Sequence, residues 1–386
     1  MDFSQPDEIA DIRDAVRALC AQFPGEYWRA LEPSTYPTEF VEELTRQGWL
    51  AALIPEEYGG SGLPIGASSV ILEEISRSGG NPGACHAQMY VMGTLLRHGS
   101  EGQKQQYLPR IASGELRLQA FGVTEPDAGS DTTKIKTRAR RKDDGGYVVD
   151  GQKIWTSRAE HSDLMVLLAR TTPLDEVGKK TEGLSVFLVD MRDRGDTLQI
   201  KPIKTLMNHA TTEVFFDGLE LPAESLIGEE GKGFRYILDG MNAERILIAS
   251  ECIGDGHFFL DRATAYASDR VVFGRPIGSN QGVQFPLARA KMAVEAADLM
   301  RWKAAWLYES GQPAGAEANM AKYLASEASW QAANAALDAH GGFGFAEEYD
   351  IERKFRETRL YQVAPVSNNL VQAFVGQHVL GLPRSY

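Results

Sequence analysis

Over the first 118 residues, apolar positions recur at helical spacing across 7–22, 37–48, 66–78, 84–98 and 101–112, the signature of amphipathic helices. Breakers separate the runs: Pro33 and Pro37, PEEYGGSGLP at 55–64, GGNPG at 79–83, and Gly99. From about Leu118 to 228 the period shortens. LQAFGV, KTRARR, GYVVDGQKIW, DLMVLLAR, LSVFLVD, QIKPI and TTEVFFDGLELP succeed one another, with turns rich in Gly, Asp and Pro. Short runs at this spacing predict an antiparallel sandwich or barrel. Residues 171–183 form a polar loop between two of them. Lys134, Lys136, Arg138, Arg140 and Arg141 alternate with other residues, as on a solvated edge strand. After Gly228 the helical period returns, over 233–256, 257–271, 282–309, 316–338, 347–357 and 367–380. Long helices with short joins predict a bundle. The pattern is α+β, mostly α: an N-terminal helical domain at 1–118, a middle antiparallel β-domain at 119–228 and a C-terminal helical bundle at 229–386.

The helix at 233–256 carries a conflict. Phe234, Ile237, Met241, Ile248 and Cys252 share one face, while Ile246 and Leu247 point the other way. Such a helix is buried between neighbours. Yet Glu244 and Arg245 stand in its middle, Glu244 about 60° from Met241. Adjacent residues do not face each other, so they need not pair. A buried carboxylate needs a partner, a shifted pKa or a task. Pattern alone leaves a core ion pair and a functional group both open.

Composition narrows the field. The chain has 386 residues, 43% hydrophobic and 24% charged, with net charge -13. That charge argues against a nucleic-acid partner, which needs a basic surface. No apolar run approaches the ~18 residues of a membrane span. The start, MDFSQPDEIADIRDAVRALC, has neither the basic and apolar regions of a secretion signal nor the Arg-rich character of a transit peptide. Cys20, Cys85 and Cys252 are widely spaced, without metal-ligand spacing. Reduced core thiols in a cytoplasmic compartment are expected.

Two strand ends hold candidate chemistry. FGVTEPDAGSD at 121–131 offers backbone groups with the hydroxyls of Thr124 and Ser130, and KIWTS at 153–157 joins an aromatic slab to small hydroxyls. Such groups can hold a planar polar ring. In this order the chain resembles the acyl-CoA dehydrogenase family of flavoproteins. The resemblance covers essentially the full length. It rests on TEPDAGSD at 124–131, GQKIWTS at 151–157, the Phe216-Asp217 strand end with the following LP and IGEEGKGF, DRVVFGRPIGSNQGVQF at 269–285, HGGFGF at 340–345 and RKFRETRLYQ at 353–362.

The resemblance implies a helical domain, a β-domain and a C-terminal four-helix bundle. It implies FAD, extended between the β-domain and the C-terminal helices, with its ADP end reaching a second subunit of a homotetramer (a dimer of dimers). Phe121, Val123 and Thr124 would contact the flavin pyrimidine, with Trp155 against the ring and Ser157 near N5. Arg270, Phe273 and Gln281 would hold the diphosphate and adenosine of the partner's FAD, and Gly341, Gly342, Ser367 and Asn369 would approach the cofactor. Ser130 would touch the CoA thioester, Arg245 would lie at the substrate, and Met89 and Met92, with Tyr90, would line the acyl pocket. The implied reaction is α,β-desaturation of an acyl-CoA thioester to the 2,3-enoyl-CoA, with electrons passing to an electron-transferring flavoprotein.

That reaction needs a base for the proton beside the thioester, which suits a desolvated Glu. Many family members place it in the C-terminal segment, as the middle residue of a YEG-type triplet that begins two residues after a Tyr-Gln. Here Tyr361-Gln362-Val363-Ala364-Pro365 puts proline there. A minority, including isovaleryl-CoA and long-chain acyl-CoA dehydrogenases, place the Glu immediately before an Arg on the helix opening the C-terminal domain. That position is Glu244, so Glu244 is the expected base. Pro365 also lacks the backbone N–H that helps polarise the thioester carbonyl in the family. Either another donor such as Val366 takes over, or the ribityl hydroxyl acts nearly alone. Asp338 stands where a Gln commonly contacts FAD and is expected to turn away. Without the loop glutamate there is room for a branch near the reacting carbons, which favours a branched or medium-length chain. The competing readings are an oxidase, a lyase-like flavin enzyme, or a non-catalytic acyl-CoA-binding scaffold.

Overall fold

Two strands made almost wholly of apolar residues anchor the β-region. In a computed structural model describing residues 6–384, Leu164–Arg170 is buried at every position and Leu184–Asp190 at all but its last. Burial on both faces explains why these runs do not alternate. Met165, Leu167 and Ala169 face one core with Tyr147, Phe187 and Phe216. Leu164, Val166 and Leu168 face another with Val91, Met92, Leu95, Leu108 and Ile111.

The chain runs through α1 (Asp7–Cys20), α2 (Gly25–Ala30), α3 (Thr38–Arg46), α4 (Ile65–Arg77), α5 (Gly83–His98) and α6 (Glu101–Ala112). Then come β1 (Leu118–Gly122), β2 (Arg138–Arg141), β3 (Tyr147–Ser157), β4 (Leu164–Arg170), β5 (Leu184–Asp190), β6 (Leu198–Pro202), β7 (Thr211–Leu221) and β8 (Leu226–Ile227). The remainder is α7 (Gly233–Asp269), the hairpin β9 (Val271–Val272) and β10 (Arg275–Pro276), α8 (Gln281–Glu309), α9 (Gly315–His340), α10 (Ile351–Thr358) and α11 (Asn368–Phe374). Contacts group the chain into two units. One comprises 1–33, 64–82 and 242–386, the other 34–63 and 83–241. No helix among the described residues is long and apolar enough to cross a membrane.

Four expectations need correction. The sheet is mixed rather than antiparallel, with order β6-β7-β3-β2-β4-β5-β8 and β1 parallel to β4. Parallel neighbours need a long crossover, which residues 123–163 supply. Second, β2 is not an edge strand: it pairs along its length with β3 and through Arg138 with Arg170 of β4. Its exposed arginines mark a wet face, and side-chain polarity does not report which backbone edge is paired. Third, 233–256 and 257–271 are one 37-residue helix, α7. Gly254 and Gly256 permit close approach rather than a break. A Cβ on Gly254 would meet the Glu73 carbonyl oxygen at 2.2 Å, and one on Gly256 would meet Val294 at 2.6 Å. The last two predicted helices are also shorter, since a single π turn follows α11 and α10 starts only at Ile351.

Candidate functional site

The strand-end loop comes first. A bulge interrupts the β3–β7 register between Ile154 and Thr156. There Trp155 takes φ +62° and its ring is 58% exposed. Left-handed backbone at a bulky residue is strained, and bulges re-aim side chains. The strain displays an indole that the core would otherwise have absorbed. Beside it, Thr124 accepts the Ile154 N–H through its carbonyl at 2.9 Å. Among the described residues, the Thr124 and Ser157 hydroxyls have no protein partner. Phe121 and Val123 are half-buried, and Ser130 is exposed.

A buried pair holds this loop. Lys153 Nζ donates to the Val123 carbonyl at 3.0 Å and to Glu125 Oε1 at 2.8 Å. Glu125 also accepts the Lys136 and Thr137 N–H groups at 2.6 and 2.9 Å. Burial pulls the Lys153 pKa down to about 8 despite the carboxylate. Burial works to raise the Glu125 pKa, but Lys153 and the donated hydrogen bonds outweigh it and leave that carboxyl below its ordinary value. The sequence reading missed this pair. Its signal was a lysine inside an otherwise strand-like run.

Of the expected acyl-pocket residues, Met92 lies in the apolar core and Met89 is 1% exposed. Tyr90 instead meets Phe121 edge-on at 5.5 Å and His86 at 5.0 Å. A cleft of about 380 Å³ opens between Thr181 and Glu182 and the start of α7, where Lys232, Phe234, Arg235 and Leu238 line it.

In the other unit, Glu244 is 5% exposed on α7, among buried Ile246, Leu247, Ile248 and Cys252. Arg245 donates from Nη1 to Asn242 Oδ1 at 3.1 Å, while its buried Nε has no hydrogen-bond partner among the described residues. Burial lowers the Arg245 pKa, and Glu244 opposes that shift. Lys322 of α9 is fully buried. It donates to the Val366 carbonyl and to Asn368 Oδ1, both at 2.7 Å. Burial depresses it to about 8, and Arg245 and Glu244 both bear on its charge. Asn368 donates onward to Glu327 at 2.7 Å, which also accepts from Gln362 at 3.0 Å. The segment carrying Pro365 is thus fastened to α9 on both sides of the proline. Lys322 was not picked out from sequence, because a lysine in an alanine-rich helix looks like a solvated one.

The remaining candidates lie on surfaces of the same unit. Phe273 is fully exposed at a hairpin tip with φ +52°. Arg270 stacks its guanidinium over Phe343 at 5.8 Å, and Gln281 is the exposed first residue of α8. Gly341 has φ +58°, and neither it nor Gly342 has an atom within 4 Å of where a Cβ would stand. The Ser367 hydroxyl accepts the Leu370 N–H at 3.4 Å, and Asn369 is exposed. Asp338 is exposed.

Family models for the acyl-CoA dehydrogenase N-terminal, middle and C-terminal domains match residues 6–115, 120–219 and 231–378. The chain belongs to the acyl-CoA dehydrogenase family. It is 36% identical over 388 residues to acyl-CoA dehydrogenase fadE12 of Mycobacterium bovis, covering 100% of this chain and 99% of that one. Among solved structures, butyryl-CoA dehydrogenase from Megasphaera elsdenii superposes with a TM-score of 0.92 at 28% identity, over 98% of this chain and 100% of that one. PigA with FAD and proline superposes at 0.91 with 25% identity, over 99% and 100%. This acyl-CoA dehydrogenase is an FAD-dependent oxidoreductase. Its residues suit the cofactor. An exposed indole and partnerless hydroxyls can meet a flavin ring, and open glycines with an arginine can meet a diphosphate.

Proposed function

We propose that this protein desaturates an acyl-CoA thioester at the α,β position, with Glu244 as the base. The observation that carries the reading is a 5%-exposed glutamate on an apolar helix face, in a chain whose loop position for a base is Pro365. Desolvation suits a carboxylate to the removal of a weakly acidic C–H proton. Phe121, Val123, Thr124, Trp155 and Ser157 hold the flavin ring. Arg270, Phe273, Gln281, Gly341, Gly342, Ser367 and Asn369 hold the rest of FAD. Bound FAD supplies the hydride acceptor. Ser130 and Arg245 contact the substrate, and Tyr90, backed by the core residues Met89 and Met92, walls the acyl group, which is branched or of medium length.

The three domains fall at 1–118, 119–228 and 229–386. The assembly is a homotetramer. Phe285, Met292, Leu299 and Trp306 recur every seventh residue along α8 and are 49, 64, 58 and 59% exposed, an apolar stripe that a second copy would cover. The acceptor is an electron-transferring flavoprotein, and the compartment is cytoplasmic, consistent with three buried free thiols.

The test is an anaerobic titration of the flavoprotein with straight and branched acyl-CoA thioesters. Bleaching of the oxidised flavin band by one of them identifies reaction and substrate class together. A flavin that none of them bleaches overturns the dehydrogenase reading in favour of binding without oxidation.

A further inference from the structure

Pro365 removes an N–H from the loop where the thioester carbonyl is polarised, and a desaturation reaction needs that polarisation. Lys322 Nζ grips the Val366 carbonyl at 2.7 Å from a fully buried position. The Val366–Ser367 peptide is trans, since the only cis bonds among the described residues precede Pro33 and Pro365. In a trans peptide the carbonyl and the following N–H point in opposite directions. With the carbonyl turned to Lys322, the Ser367 N–H is turned away from it, and it has no partner among the described residues. Asn368 and Gln362, bound to α9 through Glu327, stop the flanking chain from rotating.

We propose that the Val366–Ser367 peptide supplies the N–H that polarises the thioester carbonyl, and that Lys322 is its positioning residue. The inference rests on the acyl-CoA reading above. Preorganisation is the reason this N–H is chosen over that of Val366: an oxyanion donor works only if it need not reorient during reaction, and the Val366–Ser367 plane is the one clamped by an ammonium group.

The test reads the carbonyl directly. Crotonyl-CoA labelled at the thioester carbon is bound to the oxidised FAD enzyme, and its infrared carbonyl stretch is compared with that of the free thioester. Ser367 has φ -62°, which proline adopts without strain at that residue, so Ser367→Pro deletes the N–H. Ser367→Ala is the control, because it loses the hydroxyl bond to Leu370 but keeps the N–H. Wild type and Ser367→Ala are expected to lower the stretch. With every variant reconstituted at saturating FAD, because the Ser367 side chain is itself placed at the cofactor, Ser367→Pro is expected to return it toward the free value and to reduce kcat about 100-fold relative to Ser367→Ala. Lys322→Met should give a partial return, read the same way if the proline variant fails to fold. Indistinguishable Ser367→Pro and Ser367→Ala carbonyls, or an unshifted wild-type carbonyl, overturn the inference. A shifted carbonyl on a flavin that no acyl-CoA bleaches refutes the dehydrogenase reading while leaving this donor standing.

Discussion

Two loops of this protein are each fastened by one buried lysine, and the lysines are matched differently. Lys153 holds the loop after β1 and has a carboxylate, Glu125, at 2.8 Å. Lys322 holds the segment around Pro365, and its hydrogen-bond acceptors are a carbonyl and an amide oxygen. Burial drives both down to about 8. The first is a desolvated ion pair, in which loss of either member strands a charge. The second is an ion held by dipoles, which costs less to neutralise. A counter-charge therefore suits a loop that only has to be rigid. Neutral acceptors take the hydrogen bonds of Lys322, while Glu327 and Glu244 act on its charge only through space.

That contrast can be broken or sharpened, beginning with the largest effect. Glu244→Gln keeps the side-chain volume but cannot accept a proton. Turnover should fall about 10³-fold with flavin content unchanged, and near-normal turnover would move the base off α7. Glu125→Gln strands the Lys153 ammonium and turns an NH₂ group toward a backbone N–H. It should destabilise the protein by about 3–5 kcal/mol in denaturant unfolding. Lys322→Met leaves the Val366 carbonyl and the Asn368 amide short of a donor, for about 1–3 kcal/mol. If both variants lose equally, the distinction between paired and dipole-held lysines fails.

The smallest effect is on pH dependence. With folded values near 8 against an ordinary 10.5, the unfolded chain binds more protons than the folded one between these values. The free energy of unfolding contributed by each lysine therefore rises with pH across that window, by at most about 1.4 kcal/mol per unit. Lys153→Met or Lys322→Met should flatten that rise relative to wild type, and parallel curves would show that neither lysine is depressed.

Much of the fold was legible along the chain. The β5 run was read to the residue and β3, β4 and β7 within two, because fully apolar or alternating strands bounded by turn residues leave little latitude. The failures share a cause. The edge status of β2, the parallel pairing of β1 and the continuity of α7 through Gly254 all depend on neighbours distant in sequence. At the site, Glu244 and Trp155 stood out in their local context. Lys153 and Lys322 did not, because a buried lysine and a solvated one look alike until their acceptors are known.

By itself the sequence determined the order of helices, strands and helices, the family, and the placing of Glu244 on an apolar helix while the loop has proline. These are consequences of periodicity and of residue identity, which are local. Only the tertiary structure decided that the Trp155 bulge displays its indole, that Lys153 braces one loop, and that Lys322 turns the Val366–Ser367 peptide. Each needs two segments at least 30 residues apart to meet at hydrogen-bond distance or in one strand pairing, and no local pattern encodes that meeting.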